Sequence, residues 1–281
     1  MLYGIHGGNT GRLASPEGAE AICIAAQTHR LESVWAWEQI AIPAHFESPW
    51  PYSPDGALAT PDDVALMDPL IWLSWVGRQV PDLMLATGVL LLALHEPITL
   101  AKTVATLDLL TQERVTLGIG VGWLEEEYQV LGKDFTDRGR RTDDAIAALR
   151  RLWSDSPSTF SSETISFPAL FCEPRPKQTI PIVIAGGSRA AARRAGRLGD
   201  GFYPHPSVGD DIEQLLEVMR SSARDAGRDP DEISLTVGGD PTNDAARRAQ
   251  SIGAQRFLID VYGQEPDDVG RFIEQCLNDL G

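Results

Sequence analysis

The hydrophobic pattern of the chain changes its period repeatedly, from short apolar runs typical of strands to longer segments with helical spacing. The apolar runs predict eight strands, at residues 2–5, 33–37, 83–89, 114–119, 180–185, 200–203, 233–237 and 256–261. Each is followed by a predicted helix, at residues 16–30, 70–79, 98–110, 140–153, 188–198, 211–226, 244–252 and 267–280. The chain is therefore a repeated strand–helix unit.

Two architectures accommodate such a repeat, an open doubly wound sheet and a closed barrel. Eight units in 281 residues favour the barrel, whose usual size is about 250 residues. We predict an α/β fold, an eight-stranded (β/α)8 TIM barrel that forms a single domain over residues 1–281. Insertions are expected at about residues 40–69, which are rich in proline, and at 154–178, where a hairpin is possible. Such extensions commonly build the active site of a barrel.

Composition narrows the classes of function. The chain has 24 basic and 40 acidic residues and a net charge of −16, which disfavours nucleic acid and anionic membrane surfaces as partners. The N-terminus lacks the pattern of a signal peptide, and the apolar stretch at residues 83–94 is too short to cross a bilayer. Cys23, Cys172 and Cys276 have no metal-site spacing and are expected to be free thiols. We expect a cytoplasmic protein with a small-molecule substrate.

Gly186, Gly187 and Ser188 follow a buried strand and precede a helix. Glycines there let the backbone approach an anion, and the free amides of a first helical turn point toward it. A phosphate site is therefore one interpretation. The alternative is a tight turn in which Ser188 only caps the helix.

Two other strands end in glycine. Gly120, Val121, Gly122 and Trp123 end the fourth, which suggests close approach to a flat ring with Trp123 as a wall, or else a glycine bulge at the rim. The third ends in Thr87, Gly88 and Val89, where glycine indicates a bulge, a nearby ligand or simple core packing.

The second strand ends with Trp35, Trp37, Glu38 and Gln39, where a barrel would place an acid, a base or a hydrogen-bonding partner. The alternative places Glu38 and Gln39 in a solvated loop. His6 and His205 follow strands one and six and are expected at the rim, with no spacing that predicts a metal site. Residues 125–127, three glutamates, are expected to form a solvated charge run.

Six segments together resemble the luciferase-like monooxygenase family, and within it the coenzyme F420-dependent oxidoreductases. They are residues 85–89, 101–108, 114–123, 138–142, 184–188 and 195–202. The resemblance covers most of residues 1–205, and it implies the family's barrel with insertions, which is often a homodimer. It also implies a redox activity whose hydride chemistry belongs to the cofactor, F420 or alternatively FMN.

By position, the resemblance assigns the cofactor phosphate to Gly186, Gly187 and Ser188. It places a cis peptide bulge that props the cofactor ring at Gly88 and Val89, next to Thr87. Val121, Gly122 and Trp123 would line that ring. These nine residues are the predicted cofactor site.

One position departs from the family. Many members have a histidine where this chain has Gln39, and an amide cannot exchange a proton near neutral pH. If that histidine is an acid or base in the relatives, its role here is vacant or has moved to Glu38 or His205.

Three further hypotheses for the function remain open: an FMN-dependent monooxygenase, a non-catalytic flavin-binding or deazaflavin-binding protein, and a sugar-phosphate barrel enzyme.

Overall fold

The computed structural model describes residues 1–50, 65–205 and 211–281. The strands within those ranges are β1 Leu2–His6, β2 Ser33–Ala36, β3 Met84–Thr87, β4 Leu90–Leu91, β5 Val115–Gly120, β6 Ser158–Ser161, β7 Ser166–Leu170, β8 Ile182–Ala185, β9 Gly201–Tyr203, β10 Ser234–Gly238 and β11 Arg256–Asp260. The helices are α1 Pro16–Thr28, α2 Pro69–Gln79, α3 Pro97–Leu110, α4 Glu125–Val130, α5 Arg138–Ser154, α6 Arg189–Leu198, α7 Ile212–Asp225, α8 Asn243–Ser251 and α9 Val269–Leu280.

Eight of the strands close into a parallel barrel in the order β1, β2, β3, β5, β8, β9, β10 and β11. The first strand pairs with the last, with Leu2 opposite Arg256 and His6 opposite Asp260. The pairing of β3 with β5 completes the ring. The predicted (β/α)8 barrel is therefore confirmed. Its carboxyl strand ends meet at one opening, which we call the mouth.

The barrel interior has its own buried cluster, distinct from the core between strands and helices. Its members come from five different barrel strands: Trp35, Ala86, Val183, Tyr203 and Leu258. Strands covered on both faces must be apolar on both, which explains why the sequence shows continuous apolar runs rather than alternation.

The predicted third strand is divided in two. β3 ends at Thr87, and after Gly88 and Val89 the chain resumes as the short strand β4, which pairs with β5. Gly118 on β5 allows this path, because a side-chain carbon there would lie 1.9 Å from the carbonyl oxygen of Thr87. The interruption lies at the mouth.

Both predicted insertions exist as departures from the repeat. β6 and β7 form the antiparallel hairpin expected after α5. Residues 51–64 of the other insertion lie outside the described residues. What is described begins after β2 and reaches Trp50, and it resumes at residue 65, where Leu66 bridges to Thr10.

Among the described residues, no helix combines the length and the apolar character that crossing a membrane would need. The three cysteines are buried and free.

Candidate active site

A cis peptide bond joins Gly88 and Val89 at the mouth, and we call these two residues the bulge. The amide of Gly88 donates to the carbonyl oxygen of Ala36 (2.6 Å), and the carbonyl oxygen of Val89 accepts from the amide of Glu38 (3.0 Å). The carbonyl oxygen of Gly88 accepts from His6 Nε2 at 2.5 Å. Both carbonyl oxygens of the bulge and the amide of Gly88 are thus bonded to β1 and to the end of β2.

Thr87 supports the bulge from the β5 side. Its hydroxyl, which is buried, donates to the carbonyl oxygen of Gly118 at 2.7 Å. This hydroxyl is therefore used within the barrel wall, where it links the end of β3 to β5.

Both ring nitrogens of His6 are bonded. Nε2 faces the Gly88 carbonyl, which can only accept, and Nδ1 lies 3.3 Å from Asp260 Oδ2. Burial by itself would lower the pKa of His6, but the hydrogen bond and charge of Asp260 and the Gly88 carbonyl outweigh it and raise that pKa. His6 therefore keeps its second proton to a higher pH than a free histidine.

Asp260 completes this pair. Burial would raise the pKa of its carboxyl, but the His6 hydrogen bond and charge and the Tyr262 amide lower it. Its side chain is 55% exposed, so the carboxylate also faces the mouth. His205 lies close enough to feel both charges, and burial together with His6 lowers its pKa to about 4. His205 is thus neutral at pH 7, beside an ion pair.

Glu38 lies behind the bulge. Its side chain is 4% exposed, and its Oε2 accepts from the amide of Leu91 (2.7 Å). His95 Nε2 lies 2.9 Å from the same oxygen. Glu38 therefore holds β4 in place from the protein side.

Gln39 turns toward α4. Its Nε2 donates to Glu127 Oε2 at 2.6 Å. The three residues predicted as catalytic consequently do not converge: Glu38 faces β4 and His95, Gln39 faces Glu127, and His205 lies with His6 and Asp260.

The prediction of a solvated charge run at residues 125–127 holds for exposed Glu125 and is wrong for the two glutamates that follow it. Glu127 is fully buried on α4, and Glu126 is half-buried beside it. Their carboxylates accept from four backbone amides of the segment after β2, those of Ile40, Ala41, Glu47 and Ser48. Burial raises the pKa of Glu127, whereas hydrogen bonds from Ser48 and Glu47 lower that of Glu126. Three adjacent glutamates gave no sequence signal of this, because the bonded amides are about 80 residues away.

Five rings form a continuous line across the mouth, which we call the aromatic arc: Phe46, Trp123, Trp50, Trp37 and Tyr262. Successive ring centroids are 5.9, 5.0, 6.3 and 6.5 Å apart, all in edge-to-face geometry. Sequence analysis had singled out only Trp37 and Trp123. The arc spans from the end of β5 past the end of β2 to the loop after β11.

Val121 and Gly122 join the end of β5 to Trp123 of the aromatic arc. The carbonyl oxygen of Val121 accepts from the Tyr128 hydroxyl at 2.7 Å. Gly122 has a φ of +74°, and a side-chain carbon there would approach the Tyr128 ring to 3.0 Å. Glycine is therefore required for the turn that carries Trp123 into the mouth.

The turn formed by Gly186, Gly187 and Ser188, here named the glycine turn, joins β8 to α6. Gly186 has a φ of +133°, and its amide donates to the Tyr203 carbonyl oxygen (3.1 Å). The Ser188 hydroxyl caps α6 by accepting from Ala191 (3.1 Å). Gly187 and Ser188 are exposed, so the first-turn amides of a ten-residue helix open toward solvent. The capping role is thus present, and an anion can still reach the turn.

This geometry defines a closed parallel barrel whose mouth holds an internally bonded bulge, an aromatic arc and an open glycine turn. A family model for luciferase-like monooxygenases matches residues 9–267. The chain therefore belongs to the luciferase-like monooxygenase family and is an oxidoreductase.

Individual relatives extend this picture. A Mycobacterium tuberculosis protein of uncharacterised function is 28% identical over 98% of this chain and 97% of its own. An F420-dependent glucose-6-phosphate dehydrogenase of Kineococcus radiotolerans is 31% identical, covering 76% of this chain and 60% of the relative.

Solved structures share the fold. An F420-dependent secondary alcohol dehydrogenase, in complex with an F420–acetone adduct, superposes with a TM-score of 0.68 at 20% identity, covering 99% of this chain and 84% of that one. The coenzyme F420-dependent tetrahydromethanopterin reductase of Methanopyrus kandleri gives 0.70 at 12% identity, covering 100% and 99%.

Proposed function

We propose that this protein is an F420-dependent oxidoreductase that transfers a hydride between the deazaflavin and a small organic substrate. The observation that carries the proposal is the bulge, in which both carbonyl oxygens and the Gly88 amide are bonded within the protein, so that its backbone is held firmly at the mouth. The relatives and fold neighbours named for F420 support the choice of cofactor.

The residues present fit such a cofactor. Thr87, Gly88 and Val89 offer a platform with no side chain at its centre. Val121, Gly122 and Trp123 form the facing wall. When bound, the deazaflavin supplies the carbon that gives or accepts the hydride.

The glycine turn fits the anionic end of the cofactor. Gly187 and Ser188 are exposed, and their amides and that of Arg189 stand at the positive end of α6. A phosphate here would be bound by backbone groups, which an acidic chain can supply without a basic surface.

The remaining residues of the site hold the bulge in position and keep water out of the mouth. His6 and Glu38 hold the bulge from its two sides, and we assign both as positioning residues. Gln39, bonded to Glu127, fixes the segment that carries Trp50, so the arc can shield the mouth from water. Of the three predicted catalytic residues, we assign His205, neutral at pH 7 beside His6 and Asp260, as the one that contacts the substrate.

The glycine turn would serve the phosphate of FMN equally well, so an FMN-dependent monooxygenase is the second candidate. Titrating the protein with F420 and, separately, with FMN decides between them, followed as quenching of tryptophan fluorescence. We expect saturable binding of F420 and oxygen uptake with reduced FMN no faster than without protein. Tighter binding of FMN with oxygen uptake would establish the alternative, and binding of neither would overturn the proposal.

Gly187→Asp tests the anion site directly. Gly187 does not have a positive φ, so aspartate fits the backbone, and its carboxylate would repel a phosphate. We expect affinity for the cofactor to fall at least about 100-fold, since a like charge at an anion site costs several kcal/mol. Gln275→Glu, which adds the same charge on the exposed face of α9, is the control and should bind normally.

A homodimer, a single domain over residues 1–281 and a cytoplasmic location are part of the same proposal. They rest on the resemblance and on composition.

A further inference from the structure

The mouth has an aromatic side and a carboxylate side that meet at Gly7. A side-chain carbon built on Gly7 would lie 3.3 Å from Asp260 Oδ1 and 3.8 Å from Trp37 Nε1. Trp37 is also in edge-to-face contact with Tyr262, two residues beyond Asp260. The exposed carboxylate and the Trp37 end of the aromatic arc therefore both border Gly7.

The two oxygens of Asp260 face different groups. Oδ2 is directed at His6, whereas Oδ1 accepts only the amide of Tyr262 among the described contacts (2.9 Å) and lies on the Trp37 side. The His6–Asp260 pair is thus a dipole whose negative end points toward the arc. Rings beside a negative charge are the arrangement that proteins use to bind organic cations.

Among the described residues, the cation in contact with Asp260 is His6, which bonds Oδ2. The arginine nearest in sequence to the end of β1 is Arg12, which is paired with Glu265. The segment from Gly118 to Val130 contains no lysine or arginine, nor does the segment from Phe257 to Val269. A phosphorylated substrate beside the arc would meet the Asp260 carboxylate and no lysine or arginine from these two segments.

His6 and the predicted catalytic residues His205 and Gln39 do not readily transfer a proton to a bound substrate. Both His6 protons are directed at Gly88 and Asp260, His205 is neutral at pH 7, and Gln39 cannot exchange a proton. A carbonyl that accepts a hydride becomes an alkoxide and needs a proton. A cationic C=N⁺ group needs none: the carbon gains the C–H bond, the π pair moves to nitrogen, and the charge disappears.

We propose that the aromatic arc and Asp260 bind a planar organic cation containing a C=N⁺ group, and that this is the substrate class. The hydride donor is the reduced deazaflavin, so this inference rests on the proposed function. Trp37 and Tyr262 contact the face of the cation, and Asp260 Oδ1, the oxygen turned away from His6, attracts its positive charge. The reverse reaction takes a hydride from the carbon next to a neutral amine nitrogen.

Binding to the protein without cofactor tests this independently of F420. The probes are N-methylquinolinium, neutral quinoline as a ring of similar shape, and glucose 6-phosphate, followed by tryptophan fluorescence and calorimetry at pH 7.5. We expect the quinolinium to bind at least about fivefold more tightly than quinoline, the usual worth of a cation–π contact. Glucose 6-phosphate should show no saturable binding.

Variants assign the preference to residues. Asp260→Asn should remove the advantage of the quinolinium and leave quinoline binding unchanged, and Trp37→Leu should weaken both. Asp240→Asn removes an exposed carboxylate after β10, at the same end of the barrel, and should change neither. Because Asp260 also supports His6, circular dichroism and the quinoline affinity report whether the Asn variant keeps its mouth intact.

Equal affinity for quinolinium and quinoline would overturn the proposal, and so would an unaltered preference in Asp260→Asn. Saturable binding of glucose 6-phosphate would replace it with an anionic substrate. If F420 fails to bind but the quinolinium preference depends on Asp260, the cation site stands and the proposed function falls. If F420 binds and the quinolinium does not, the reverse holds.

Discussion

The bulge and the glycine turn are both assigned to one cofactor, yet they are built in opposite ways. The bulge has its backbone groups bonded to β1 and β2, and buried Glu38 and Thr87 lie behind it. The glycine turn is exposed and is fixed by one backbone bond and one capping hydroxyl. In the proposed function, the surface for the ring therefore exists before any ligand binds, whereas the amides of the glycine turn remain available until a ligand occupies them.

Gly118→Ala should have the largest effect, because it disrupts the packing of β5 against Thr87, the residue that precedes the bulge. The new methyl group would lie 1.9 Å from the Thr87 carbonyl oxygen, and two backbone segments cannot separate there without breaking the β3–β5 pairing. We expect a loss of about 3 kcal/mol or more in the free energy of unfolding, as overpacking of a core strand produces. Urea unfolding measures it. Gly270→Ala, at an open position in α9, is the control and should stabilise by up to about 1 kcal/mol.

Glu38→Leu should have the next largest effect. It leaves the buried amide of Leu91 without its acceptor and His95 without its partner. The penalty for an unsatisfied buried group is about 1–3 kcal/mol. We expect a loss of about 2–3 kcal/mol in stability and weaker cofactor binding, but an unchanged glycine turn. Glu38→Gln keeps an acceptor for Leu91 and should recover part of both losses. Full stability in Glu38→Leu would show that the carboxylate does not hold β4.

The His6–Asp260 pair, which supports the bulge, makes the stability of the protein depend on pH. The pKa of His6 is raised on folding, so its contribution is complete below its unfolded value of about 6.5 and is lost as the pH rises through the folded value. The pKa of Asp260 is lowered, so its contribution is complete above about 3.9 and is lost as the pH falls through the folded value. The pair therefore contributes fully between about pH 4 and 6.5.

The comparison of wild type with His6→Gln, which can still donate to Gly88, isolates this contribution. We expect a stability difference of about 1.5 kcal/mol at pH 6, reduced by solvent screening at half-exposed Asp260, that shrinks toward pH 9. Unfolding by urea at several pH values measures it. His29→Gln, at the end of α1, controls for the loss of an imidazole elsewhere. A difference that grows with pH would contradict the assigned protonation.

Ser188→Ala should have the smallest effect, and it tests the glycine turn rather than the bulge. It removes the hydroxyl that caps α6, at a cost of about 0.5–1 kcal/mol for an exposed cap. Thr242→Ala removes the equivalent cap of α8, where the hydroxyl accepts from Ala245 (3.2 Å), and should cost a similar amount. Cofactor affinity should fall only in the Ser188 variant. Equal affinity in both variants would argue that α6 does not bind the anion.

The sequence went far in predicting the fold. Eight strand–helix units were predicted in order, and most boundaries agree within three residues. The fourth predicted helix, α5 of the structure, begins at Arg138 instead of residue 140, and α6 begins one residue after its Ser188 cap. The prediction of one continuous strand over residues 83–89 was wrong, because nothing in an apolar run marks Gly88 as the residue at which strand pairing is interrupted. The short helix α4 was missed, since its glutamates were interpreted as solvated.

What the sequence by itself determined is local: the periodicity of each element, the cap at Ser188, and the glycines at the turns, because these depend on neighbours within a few residues. The tertiary structure alone decided the pairings that make the mouth: His6 with Asp260 across 254 residues, Glu38 with His95, and Glu127 with the backbone after β2. The physical reason is closure of the barrel. Once β1 pairs with β11, the first and last strands end side by side, and a histidine and an aspartate that are far apart in sequence form an ion pair.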